Sequence, residues 1–306
     1  MKRSSIMYEI SQMLNRKEVV LTGMLPHGHI VFGVFMSVMK HMAEYQLNDK
    51  HECAIIIADT EQKLRSKKQS RHIARQVVES VKDLIASGID PDKTLIYPQS
   101  AVAEELSILC DHFRVMAKCE ENELMMACDM LGIRANTVLV GDDQIIALRI
   151  AISIARQIIV PAIPIPQRGA NGVMFCADNS IEYGEDALFK RLHEIRKMYR
   201  NSALSPKTLK STSVKLDPNL ALALEKFHER RISLVKKDQL IHDLLATGSS
   251  RAKAVFSETV KMIRDNYTGL CANHEHNPSP VSWDASSRSI EASVWSRSNA
   301  PCNRGQ

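Results

Sequence analysis

At 306 residues and 44% hydrophobic content the chain can bury a sizeable core, either as one large domain or as a core domain with a helical appendage. No apolar run reaches the roughly 18–20 residues of a membrane span, and the basic N-terminus alternates polar and apolar residues without the continuous apolar stretch of a secretory signal, so a cytoplasmic protein is expected. The net charge of +5 permits contact with nucleic acid without requiring it.

In chain order, Val19–Met24, Cys53–Asp59, Thr94–Gln99 and Thr137–Gly141 are short, β-branched and bounded by polar or turn residues, which predicts buried strands. Helices are predicted between them over Val31–Gln46, Gln69–Ser87 and Ala103–Lys118, with another after Asp142. The second should end at Ser87-Gly88-Ile89-Asp90-Pro91, where Gly88 can take a left-handed cap and Pro91 blocks continuation. Strands separated by helices of this length imply βαβ crossovers and a parallel sheet, which binds ligands at the carboxyl ends of its strands.

Pro161–Gly172 reads as a Pro/Gly-rich loop, Glu185–Asn201 as a helix and Ser202–Lys215 as a linker. Asp217-Pro218 should open a helix running to about Thr247 with a break near Lys237, Gly248 should stop it, and a last helix should span Arg251–Tyr267. From Cys271 the Ser-, Asn-, Pro- and Arg-rich sequence predicts a disordered tail. The predicted organisation is an α/β domain over residues 1–184, a small helical domain over 185–270 and a tail over 271–306.

The seven cysteines include no CxxC pair. Cys110, Cys119 and Cys128 recur at equal steps, but this spacing matches no short chelating loop and His112 is the one extra ligand nearby, so buried free thiols are expected and no metal. The first strand feeds Thr22-Gly23-Met24-Leu25-Pro26-His27-Gly28-His29, then Ile30-Val31-Phe32-Gly33-Val34. A strand, a Gly-containing turn and a helix is a general plan for holding phosphate, and equally an ordinary tight βα turn.

Several separated motifs, read in order, are similar to the class I tryptophanyl-tRNA synthetases. Thr22-Gly23, Pro26-His27-Gly28 and Val31–Val34 occupy the places of that family's Ser/Thr-Gly, Pro-Ser/Thr-Gly and HIGH-type signature. Ala58-Asp59, Ala86–Pro91 and Tyr97-Pro98-Gln99-Ser100 resemble its Ala/Val-Asp, AVGIDP and FxQS. Met125–Leu131 resembles LMAADIL and Val140–Gln144 resembles VGEDQ, with no gap between the two blocks, and Ser249–Gly269 resembles the closing helix. The resemblance spans about Val19–Leu270 and implies a Rossmann-like parallel sheet of the class I aminoacyl-tRNA synthetase type with a reduced C-terminal helical domain.

The resemblance also implies an amino-acid pocket. Asp129 would accept the indole N–H, Met126 would pack on the ring, Gln144 would help hold the amino-acid head group, and Gly23 would lie beside them. A carboxylate on a helix face with a solvent or Arg partner is the other reading of Asp129. The corresponding ATP site is degenerate over His27, Gly28, His29, Val31, Gly33 and Val34. The signature's first and fourth positions, polar in the family, are Val31 and Val34, whose side chains donate nothing. His27 and His29 are either a displaced substitute or exposed loop histidines.

Where the family carries Lys-Met-Ser-Lys-Ser, this chain has Phe175–Ser180, with neither lysine and with Asp178 adding negative charge. The chain is also shorter than the family between Cys110 and Leu124 and again before Asp217, which trims the wall over the active site, part of the dimer surface and the anticodon-binding region. The expected function is therefore binding of tryptophan or a related aromatic amino acid with ATP-dependent activation lost, and no catalytic residue is assigned. The alternatives are a diverged but active tryptophan–tRNA ligase using ATP-Mg, and a tRNA-binding pseudo-synthetase contacting phosphate through Lys226, Arg230, Arg231, Lys236, Lys237, Arg251, Lys253 and Lys261. A homodimer is compatible with the resemblance.

Overall fold

Four β-branched segments pair as adjacent parallel strands in the computed structural model, and a fifth, shorter strand joins them. The structure describes residues 17–26, 38–66, 70–117, 119–141, 144–158, 160, 162–169 and 218–266, which fall within a single compact unit. The elements are β1 (Glu18–Met24), α1 (Lys40–Tyr45), β2 (His51–Ile57), α2 (Asp59–Arg65), α3 (Ser70–Ala86) and β3 (Thr94–Pro98), followed by a 3-10 turn at Gln99–Val102. Then come α4 (Ala103–Phe113), α5 (Glu121–Gly132), β4 (Thr137–Leu139), α6 (Ile145–Ile158), β5 (Gln167–Arg168), α7 (Pro218–Ser233) and α8 (Asp238–Asn266).

The sheet order is β3-β2-β1-β4-β5, every pair parallel. The chain builds outward from β1 through β2 to β3 and then returns to the far side of β1 as β4. That reversal is the topological switch of an open α/β sheet, and ligands bind in the crevice beyond the carboxyl ends of the strands there.

Val20, Cys53, Ile55, Ile57 and Ile96 pack with Met39 just before α1, Met42 of α1, Val77, Val81 and Leu84 of α3, and Ile241 and Leu245 of α8. Each strand reads as a near-continuous apolar run because both faces of a parallel sheet are covered. Two helices end in the same hydrogen-bonded cap. At α3, Gly88 N–H donates to the Ile85 carbonyl (3.0 Å) and Ile89 N–H to that of Leu84 (3.2 Å), with Gly88 at φ 101°, as its sequence predicts. At α5 the pattern repeats with Arg134 N–H on Leu131 (3.0 Å) and Ala135 N–H on Met130 (2.9 Å), but the left-handed residue is Arg134, φ 60°. An arginine there costs about 1 kcal/mol of backbone strain, offset by the 2.7 Å bond from its Nη2 to Glu258 of α8.

The predicted stop at Gly248 does not occur. The chain breaks at Leu234–Lys237, and α8 then runs 29 residues straight through Gly248. The reason is packing: α8 crosses β3, the edge strand, so closely that a Cβ at Gly248 would lie 1.9 Å from the Ile96 carbonyl oxygen. The glycine removes a side chain where two backbones meet, and its low helix propensity is overridden. Gly132 has a related role at the other end of the interface, where a Cβ would fall 2.2 Å from the Phe256 ring.

The segment Asp59–Arg65 is helical as α2, and Gln167–Arg168, inside the predicted Pro/Gly loop, pairs with β4. The predicted 185–201 helix, the 202–215 linker and the tail from Cys271 lie outside the described residues.

Candidate amino-acid site

The neighbouring strands β1 and β4 lead to two of the predicted site residues, Gly23 at the end of β1 and Gln144 beyond β4. β1 ends at Gly23 and Met24, paired in register with Ile56 and Ile57 of β2, and Thr22 is tied to β4 by its Oγ1 donating to the Leu139 carbonyl (2.9 Å). Gly23 is exposed, and a Cβ there would meet nothing nearer than the Ile56 carbonyl oxygen at 3.9 Å. Its bareness leaves room at the switch point and relieves no clash. Gln144 follows β4, half-buried, its N–H donating to the Gly141 carbonyl (3.1 Å) at the start of α6.

Met126 and Asp129 are one helical turn apart on α5, on the same face. Met126 is half-buried and Asp129 is buried, 6% exposed. The solvent-facing alternative for Asp129 is therefore excluded. Its Oδ2 accepts a hydrogen bond from Gln99 Nε2 at 2.6 Å, and its Oδ1 has no partner among the described residues. Burial pushes this carboxyl up to about 8; the Gln99 bond pulls against that, and the Glu61 and Asp59 carboxylates push further upward.

Four residues around Asp129 carry roles that the sequence motifs did not assign. Gln99 is 1% exposed and its Oε1 accepts the Glu61 N–H (3.2 Å), which fixes the amide with its NH2 toward Asp129. Asp59 accepts the Ser100 N–H (2.9 Å) and hydroxyl (2.6 Å), joining the ends of β2 and β3. Glu61 pairs with Arg65 at 2.5 Å. Tyr97 is fully buried, its ring edge-on to Phe256 at 6.3 Å between centroids, and its hydroxyl has no partner among the described residues. Burial, with the nearby Asp129, raises that phenol well above its ordinary range. The FxQS-like motif contains Gln99, and a polar amide directly after a buried strand end also marks it, but neither signal names Asp129 as its partner.

The degenerate ATP positions His27, Gly28, His29, Val31, Gly33 and Val34, and Phe175–Ser180, lie outside the described residues. Among those described, no three His, Cys, Asp or Glu side chains converge on a metal position. Cys110 and Cys128 are buried free thiols and Cys119 is half-buried; burial, then a bond to Cys110, holds the Cys128 thiol in its neutral form. Arg231 is not a free phosphate contact, because it pairs with Asp83 (2.5 Å) and Glu79 of α3. Lys253 faces Glu104 and Glu105 at 3.6 and 3.8 Å, whereas Lys226, Arg230, Lys236, Lys237, Arg251 and Lys261 are exposed. No described helix is long and apolar enough to cross a membrane.

Residues 13–123 match the family model of class I tRNA synthetases for tryptophan and tyrosine. A tryptophan–tRNA ligase of Chlamydia caviae is 31% identical over 171 residues, 47% of this chain and 50% of that enzyme. One from Buchnera aphidicola is 25% identical over 154 residues, 43% of this chain and 45% of its own length. The match thus spans about half the length of these curated relatives.

Among solved structures, tryptophanyl-tRNA synthetase from Mycoplasma pneumoniae superimposes with a TM-score of 0.58 at 16% identity, covering 83% of this chain and 98% of that one. The Campylobacter jejuni enzyme, complexed with ADP and tryptophan, gives 0.58 at 17% identity over 81% and 99%. The structural likeness establishes the fold, a Rossmann-like parallel sheet of the class I synthetase type. The family model over residues 13–123, the curated relatives over about half their length and the fold all show a likeness to the class I tryptophanyl-tRNA synthetases.

Proposed function

We propose that this chain binds tryptophan or a closely related aromatic amino acid and no longer activates it with ATP. The observation that carries the reading is Asp129 Oδ1: a carboxyl oxygen sealed from solvent and unpartnered among the described residues, on a side chain bonded to Gln99 just beyond the carboxyl end of β3. A buried acceptor left without a donor costs about 1–3 kcal/mol, and an indole N–H would satisfy it. Met126, one turn earlier and half-buried, would supply apolar contact to the ring, while Gly23 and Gln144 would border the amino-acid head group. The C. jejuni relative holding ADP and tryptophan supports the same ligand class.

Loss of activation is supported by side-chain chemistry. Val31 and Val34 cannot hydrogen-bond phosphate, and Asp178 would oppose polyphosphate where the family places lysines. His27 and His29 remain the only histidines in the signature loop able to take part. Calorimetric titration with L-tryptophan, with and without ATP-Mg, tests the reading. The expected result is binding that is indifferent to ATP and lost in Asp129→Ala. Tryptophan-dependent pyrophosphate exchange would establish an active ligase instead, and absence of tryptophan binding would leave the exposed cations of α7 and α8, with tRNA as partner, as the functional surface.

A further inference from the structure

The hydrogen bonds around Asp129 distribute charge unevenly. Asp59 has two donors from Ser100, and Glu61 has the Arg65 guanidinium. Among the described residues Asp129 has one neutral amide donor. Gln99 cannot turn its oxygen toward Asp129, because that oxygen accepts the Glu61 N–H.

The other elements packed around the site bring no compensating cation among the described residues. β3 contributes the neutral phenol of Tyr97, and Cys128 contributes a thiol held neutral by burial. α8 presents the Phe256 ring to Tyr97, and Arg149 and Arg156 of α6 are exposed. A buried carboxylate facing two like charges, with one neutral donor, is neutralised by taking up a proton.

The position of that proton follows from the same bonds. Oδ2 is the acceptor for Gln99, so the acid proton belongs on Oδ1. Oδ1 is also the oxygen that an indole N–H would need, and one oxygen cannot present a proton to an incoming donor. We infer that Asp129 is a protonated acid in the ligand-free protein and releases its proton to solvent when an N–H donor occupies Oδ1. Only the O–H bond breaks, and the resulting carboxylate accepts two N–H bonds, from Gln99 and from the ligand. Bonds to an ionised acceptor are roughly twice as strong as neutral ones. The inference rests on the reading that the site takes an indole amino acid. The upward shift of Asp129 described above agrees with it.

The proton is visible without any ligand. Infrared difference spectra of the unligated full chain, wild type against Asp129→Asn, should show a protonated-carboxyl C=O band at about pH 6.5 that disappears by about pH 9.5. Titration with L-tryptophan near neutrality, in buffers of different ionisation enthalpy, should then release close to one proton per tryptophan. Affinity should weaken about tenfold for each pH unit lowered below about 7, and 1-methyl-tryptophan, which lacks the N–H, should release none. An ionised Asp129 in the free protein at about pH 6.5 overturns the proposal, as does tryptophan binding of equal affinity at about pH 6 and 9 with no proton released. Failure to bind tryptophan at about pH 9, with the protonated band present, overturns the ligand reading and the release step with it, and leaves the acid itself established.

Discussion

Gly248→Ala is the sharpest test of the packing between α8 and the edge strand. By propensity alone, alanine in the interior of a helix should stabilise by about 1 kcal/mol over glycine. The added Cβ, however, would lie 1.9 Å from the Ile96 carbonyl oxygen, 3.0 Å from its carbonyl carbon and 3.8 Å from its nitrogen. All three are backbone atoms of a paired strand, so no side chain can swing aside, and α8 must retreat from β3 by about 1 Å. A gap of that size forfeits a quarter to a half of the dispersion energy of the contacts it opens. Those contacts include Ile241, Leu245, Ala252 and Phe256, all buried.

Overpacking typically costs about 1–3 kcal/mol, and rigidity on both sides places this substitution above that range, at a net loss of about 4 kcal/mol or more. Urea denaturation followed by circular dichroism, with exposed Ser250→Ala as the control, measures it. The control should stay within about 0.5 kcal/mol of the parent. A Gly248→Ala protein more stable than the parent by about 1 kcal/mol would show the propensity term acting alone and would refute the close approach.

Two further outcomes follow from buried charge. Arg231→Met removes a charged partner of Asp83, which is 3% exposed, and should lower stability by about 3 kcal/mol in the same denaturation assay. Burial alone would raise Glu79, but Lys82 and Arg231 outweigh it and hold its carboxyl below its ordinary value; this stabilisation is present above the unfolded-state value and is lost as pH falls through the folded one, so acid-side stability curves should flatten in the same variant. Asp129 has the opposite sign. Its carboxyl is raised, so the folded protein binds a proton that the unfolded chain has lost, and stability declines as pH rises from about 4 toward 8. Asp129→Asn should remove that decline, giving a ligand-free protein more stable than the parent at about pH 8 by thermal denaturation, and unable to bind tryptophan.

The strands were legible because burial on both faces leaves short β-branched runs. Val19–Met24 and Thr94–Gln99 match β1 and β3 to within a residue, and Cys53–Asp59 is displaced from β2 by two. β5 has no such mark: Gln167 and Arg168 are polar and exposed, and become a strand only because Gln167 N–H finds the Asn136 carbonyl (2.8 Å) and Gly169 N–H that of Val138 (3.1 Å). Gly248 carries an equally strong but misleading signal. A helix-stopping residue and a helix–strand contact glycine look alike until the neighbouring backbone is known.

In the site, Asp129 and Met126 were readable from a local helical motif, whereas the side chain hydrogen-bonded to Asp129 is thirty residues earlier, at Gln99. That pairing depends on how α5 crosses the end of β3, which no local pattern encodes.

Helix α8 has a mechanical consequence. It is unbroken over 29 residues, about 43 Å, and rests on β3 at Gly248. Asp238, bound to Lys82 of α3 at 2.5 Å, and Glu258, bound to Arg134 just beyond α5, lie ten residues to either side of that point, about 15 Å each way. The helix is therefore pinned by one ion pair on each side of its contact with the edge strand, the first to α3 and the second beside the end of the helix that carries Asp129.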